Sequence, residues 1–237
     1  MSADVNSDPK GAAAPENTLR RSLLKATGVA AALAVVGGFE LNLAEAFAQR
    51  GARLAAGAID LGTGDFAVLN YAYALEQLEA AYYTQVVERP YRGMNKYEMQ
   101  VLTDLRDHEI AHREFFRGAL GTNAIPPLDV DFSRVNFGNR GSVLTTARTF
   151  EDLGVSAYNG AGQLLRNPTF LVAAGSIVSV EARHAAIIRD LLSPLSPAFA
   201  GDDIIDRAGL ETARLPSQVL PKAAPFILTP VTASQLP

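Results

Sequence analysis

DHEIAHREFFRGALG, residues 107–121, and SIVSVEARHAAIIRDLL, residues 176–192, each carry a glutamate followed three positions later by a histidine. The pairs are Glu109 with His112 and Glu181 with His184. Both segments have apolar residues three and four apart, the spacing of a helix with one buried face. Residues i and i+3 of a helix share a face, so each pair presents an oxygen and a nitrogen to one point. The chain has three histidines, and two of them fall in this pattern.

Two further apolar helices lie outward from these. NYAYALEQLEAAYYTQ, residues 70–85, carries Glu76, and FEDLGVSAYNGAGQLL, residues 150–165, carries Glu151. Each glutamate has a tyrosine seven positions on, Tyr83 and Tyr158, so the halves read as a weak repeat, Glu, Tyr, Glu-x-x-His, twice over. Glu79 lies one turn from Glu76 and offers an alternative; the repeat favours Glu76. The spacing predicts helices over 65–88 with Asp65 as N-cap, 95–120 stopped by Gly121, 142–165, and 168–192 with Asn167 as N-cap and Pro168 in the first turn. The first and last connections are short and the middle one, residues 121–141, is long. That combination predicts an all-α four-helix bundle with one long crossover.

One glutamate from each of two helices plus Glu-x-x-His from each of the other two is a donor set for two divalent ions. Four carboxylates balance the charge of two such ions, whereas without metal four glutamates in a bundle core are costly and some must protonate. Imidazole with carboxylate suits iron or manganese; zinc fits but does no redox chemistry. His108, beside Glu109, is expected about 100° round the helix and therefore off the metal face. Gly154, Gly160, Ala161 and Gly162 are expected to allow close helix packing.

The four quoted segments resemble the ferritin-like superfamily, and more closely its exported branch, which includes the desiccation-related proteins. The resemblance covers residues 64–192. It implies a di-metal site at Glu76, Glu109, His112, Glu151, Glu181 and His184, holding two iron or manganese ions per chain, with Tyr83 as a candidate catalytic residue.

Composition narrows the remaining choices. Among 237 residues there is no cysteine, which excludes a disulfide scaffold, cysteine-ligated metal and thiol catalysis. A net charge of -4 without a basic cluster in the body argues against nucleic acid. Residues 1–48 read as a twin-arginine signal peptide: Arg20 and Arg21, an apolar run over 26–39, and an Ala46-x-Ala48 cleavage pattern. The expected location is therefore the periplasm or cell envelope, reached through the twin-arginine export machinery, which carries folded, loaded proteins. Seven of the thirteen prolines fall in residues 193–237. Such a segment is expected to lie extended on the bundle or on a neighbouring copy, where it would serve a homo-oligomer or a partner.

The leading expectation is an exported di-metal oxidoreductase acting on Fe(II) and O2 or on peroxide in oxidative or drying stress. The alternative is a structural, stress-protective envelope protein whose metal is a staple or absent. Iron storage in a cage is a third reading, which the long tail and the lack of a carboxylate-rich mineral surface disfavour.

Overall fold

The computed structural model describes residues 57–237. The signal expected over residues 1–48 lies outside the described residues. Among them the elements run β1 (Ile59–Asp60), α1 (Gly64–Glu88), α2 (Lys96–Leu120), α3 (Arg140–Gly162), α4 (Pro168–Leu192), a short α5 (Pro216–Ala223) and β2 (Val231–Thr232). The helices α1 with α2, and α3 with α4, form two hairpins, and residues 121–139 cross between them. The fold is an all-α bundle of the expected kind.

Local chemistry sets the helix ends. Asn95 caps α2 reciprocally with Glu98: its side chain accepts from the Glu98 amide at 2.9 Å, and Glu98 accepts from the Asn95 amide at 3.1 Å. Asn139 caps α3 and Asn167 caps α4, with Pro168 at the first helical position. Asp65 does not cap α1, which starts after Thr63. Its carboxylate instead accepts from the backbone amides of Arg166 and Asn167 at 2.9 and 2.8 Å, tying the start of α4 to the start of α1.

Helix α1 is the central one. It buries seventeen residues, against six in α2, because the crossover covers the side that the other helices leave open. Asn70 anchors that crossover: its amide donates to the carbonyls of Leu61 and Asn123, and its oxygen accepts from the Ile125 amide at 2.9 Å. Gln77 accepts from the Leu128 amide at 2.8 Å. Tyr82, wholly buried, donates to the Val143 carbonyl at 2.6 Å and packs edge-on against Phe132 and Phe150.

The proline-rich tail lies on its own bundle. Val219 and Ala223 are fully buried, and Phe226 packs edge-on to Phe150 at 4.8 Å between ring centroids, a contact worth about 0.5–1.5 kcal/mol beyond its area. The segment is not extended throughout. Helix α5 starts on Pro216, where a missing amide costs nothing, and ends two residues after its internal Pro221. Strand β2 pairs in parallel with β1, so the last residues clasp the start of the bundle. The buried Arg189 of α4 makes a two-pronged pair with Asp152 of α3, at 2.7 Å on both prongs, and reaches Asp203 of the tail at 2.8 Å. Gly160 accounts for the closest approach. A methyl there would stand 1.9 Å from the Arg214 carbonyl oxygen, while the Arg214 amide donates to Ser156 at 2.8 Å. The glycine therefore admits the tail and not, as its helix context suggests, a neighbouring helix.

Candidate metal centre

The six residues expected as ligands come together at mid-bundle. Glu76, Glu109, His112 and Glu181 form one group whose donor atoms lie within 4.8 Å of one another. Glu109, Glu151, Glu181 and His184 form a second. In the first, His112 Nδ1 is 2.7 Å from Glu181 Oε1, 3.5 Å from Glu76 Oε2 and 3.7 Å from Glu109 Oε2. In the second, His184 Nδ1 is 2.7 Å from Glu109 Oε1, 3.4 Å from Glu181 Oε2 and 3.7 Å from Glu151 Oε2. Glu109 and Glu181 thus give one oxygen to each group, as bridging carboxylates do, while Glu76 and Glu151 each serve one. The two groups are related by a pseudo-twofold that follows the sequence repeat.

Atoms that share one ion at roughly 2.0–2.2 Å stand no more than about 4.4 Å apart, and all six distances satisfy this. Short N···O approaches in a protein are normally hydrogen bonds. Here Glu76 Oε2, Glu151 Oε2, both oxygens of Glu109 and Glu181, and both Nδ1 atoms are buried without a well-formed hydrogen bond among the described residues. Lone pairs that converge on a point and leave each other unsatisfied are what a cation resolves. The residues present fit a pair of divalent ions.

The remaining oxygens of the terminal glutamates are spoken for. The Tyr158 hydroxyl donates to Glu76 Oε1, and the Tyr83 hydroxyl donates to Glu151 Oε1. The tyrosines serve the opposite glutamate from the one the repeat pairs them with. Seven residues of helix span about 10.5 Å, too far for a tyrosine to reach back to its own glutamate. The crossed pairing is what antiparallel α1 and α3 permit. Tyr83 therefore touches one of the candidate ligand carboxylates, and burial pushes its phenol up, so it stays protonated.

Electrostatics describe how the cluster balances itself without a cation. Burial lowers the affinity of His112 for its proton, but Glu109, Glu181 and Glu76 outweigh this and push it up to about 12. His184 is likewise opposed by burial, yet Glu151, Glu109 and Glu181 carry it to about 11. Burial would raise Glu109, but the two imidazoles beside it hold it at about 2. Glu76 and Glu151 stand well above the usual carboxylate range, through burial first and neighbouring charges second. Imidazolium protons thus occupy the electrostatic role of the ions.

Two residues add to the sequence reading. His108 is exposed and is no ligand, but its Nδ1 shares a 2.9 Å hydrogen bond with His184 Nε2, the two rings lying parallel. Its separation from Glu109 points it away from the site; its i,i+4 relation to His112 was the signal that places it on the same edge. Glu79 is buried and belongs to neither group. Its carboxylate rests on Gly154, where a methyl would come within 3.2 Å of Oε1. Burial and the surrounding glutamates raise it well above its ordinary value.

Residues 64–194 match the family profile of the ferritin-like domain. No curated protein sequence matches the chain.

Proposed function

The chain belongs to the ferritin-like domain family, and we propose that it is an exported oxidoreductase holding two iron or manganese ions, which oxidises Fe(II) with O2 or consumes peroxide during oxidative or drying stress. The observation that carries the metal half of this reading is the set of eight buried ligand atoms with no hydrogen-bond partner among the described residues. The order of twin arginines, apolar run and small-residue cleavage pattern in the first fifty residues supports export.

When bound, such a pair supplies Lewis acidity and reversible one-electron chemistry at two adjacent centres. Everything else comes from the chain. Glu109 and Glu181, each giving one oxygen to each group, would hold the ions together, their charge offsetting the repulsion between the two. Glu76 with His112, and Glu151 with His184, would complete the two sides. Four carboxylates against two divalent ions would leave the buried cluster neutral, provided both imidazoles and the carboxyls of Glu76 and Glu151 give up their protons on loading. Tyr83 and Tyr158 fix the terminal carboxylates by donating to the oxygens that face away from the centre. His108 fixes the plane of His184 and links it to solvent, a route by which that ring's proton can leave.

Metal content of the protein isolated from its native envelope location tests the reading. About two iron or manganese atoms per chain, with an absorbance change on adding O2 or peroxide to the reduced protein, is the expected result. A content near zero that anaerobic Fe(II) or Mn(II) does not restore overturns it. Tightly held zinc with no redox response favours the structural role instead.

A further inference from the structure

One pocket lies at the end of the bundle where α1 and α4 begin and α2 and α3 end. Its walls enclose roughly 340 Å³ including an open mouth, and the enclosed part has room for a diatomic or a single water-sized molecule. Ala72, Phe116, Tyr158 and Ala161 are buried in its walls, while Leu165 and Ala174 at the rim are half-buried. The pocket adjoins the metal-binding layer. Ala72 is one turn before Glu76 on α1, Phe116 is one turn after His112 on α2, and one turn is 5.4 Å. Tyr158 joins the two, with its ring in the pocket wall and its hydroxyl on Glu76.

Its chemistry selects the occupant. A bound water requires two to four polar partners, and peroxide has at least as many hydrogen bonds to satisfy. The Tyr158 hydroxyl is committed to Glu76, and the only other hydroxyl in the lining belongs to Tyr71, which is buried with no hydrogen-bond partner among the described residues. A small molecule with an apolar body that asks for at most one hydrogen bond suits such walls, as xenon suits an apolar cavity. A separate, polar edge of the site is the one where His108 is exposed and His112 is 12% exposed. We infer that the apolar pocket walled by Ala72, Phe116, Tyr158 and Ala161 is a binding site for dioxygen that feeds the candidate metal centre. The inference rests on the oxidase reading for its purpose, but the pocket's affinity for a gas is independent of it.

Xenon is the probe. The full chain is exposed to xenon under pressure and its uptake followed by crystallography or xenon NMR, for the wild type, Ala161→Leu and the rim variant Ala174→Leu, which guards against a folding failure at the buried position. Expected results are one xenon in the wild type and its loss in Ala161→Leu. At unchanged metal content, the KM for O2 should rise several-fold in either variant while the rate with peroxide holds. No xenon in the wild type overturns the site. Xenon uptake with an unaltered KM for O2 in a variant that excludes xenon overturns the delivery role. A loaded wild type inert to O2 refutes the oxidase reading alone, and xenon lost in Ala161→Leu then still supports a gas site.

Discussion

Replacing Glu151 with glutamine should make the metal-free protein less sensitive to alkali while weakening its hold on metal. Glu151 is wholly buried, and its folded pKa stands well above the ordinary 4.5. The folded chain therefore keeps a proton that the unfolded chain releases above pH 4.5. The stability this proton contributes is fully present below the unfolded pKa and is lost as pH rises through the folded one. Each such proton tilts the unfolding free energy by about 1.4 kcal/mol per pH unit. Glu76 and Glu79 act in the same sense. His112 and His184, raised from 6.5 to about 12 and about 11, join them between pH 6.5 and those values. Glu109, held at about 2, acts oppositely, but its window closes near pH 4.5. His108, whose pKa is lowered mainly by burial, opposes only up to its unfolded value of 6.5.

Between pH 7 and 9 the raised groups Glu76, Glu79, Glu151, His112 and His184 act in one sense, so the metal-free wild type should lose stability as pH rises. Glutamine keeps the shape of the neutral acid and still accepts from Tyr83, but it binds no proton. The variant's slope should be flatter, by up to about 1.4 kcal/mol per pH unit wherever folded Glu151 still holds its proton. Urea unfolding of chelator-treated full chain, followed by far-UV circular dichroism at pH 7, 8 and 9, measures both slopes. Metal affinity should run the other way, rising with pH as ions displace the same protons. Equal slopes for wild type and variant, or a metal-free wild type that gains stability toward pH 9, would refute the reasoning.

Bridging and terminal ligands should separate by stoichiometry: Glu181→Gln removes an oxygen from both groups and is expected to lose both ions, whereas Glu76→Gln loses the ion on the His112 side. Elemental analysis after anaerobic loading reads this directly, and two ions retained in Glu181→Gln would sink the bridging assignment. Gly160→Ala should destabilise the fold by about 1–3 kcal/mol through overpacking on the Arg214 backbone, more than the roughly 1 kcal/mol that alanine returns in helix propensity. Hydrogen exchange should locate the loosening in residues 203–237; unchanged protection there contradicts the close approach. Tyr83→Phe leaves Glu151 Oε1 buried and unpaired, so metal affinity should fall by roughly ten- to a hundredfold with the far-UV spectrum intact. Competition with a chelator measures that loss, and undiminished affinity would show that the hydroxyl does not orient the ligand.

How much of this was legible beforehand follows from the range of the interactions. The helices, their caps and the six convergent residues are local or periodic facts. Asn95 before Glu98, Asn167 before Pro168, and Glu-x-x-His at one-turn spacing each declare themselves within a few residues. Antiparallel pairing is not local, and so a repeat that sets each tyrosine seven positions after a glutamate does not reveal that each hydroxyl reaches the glutamate of the other helix. The same holds for Asp65, which has the chemistry of a cap and serves instead as a clasp for amides a hundred positions away. Gly160 and Gly154 show the limit most clearly. A small residue on a helix announces that something comes close, but not whether it is another helix, the returning tail, or the carboxylate of Glu79. His108 was missed for a different reason, since its angle was taken from Glu109 when its neighbour on the helix surface is His112. Spacing thus led to the six side chains that the structure groups together, because residues one turn apart share a helix face. The residues that orient them are held by contacts between helices, and no period records those.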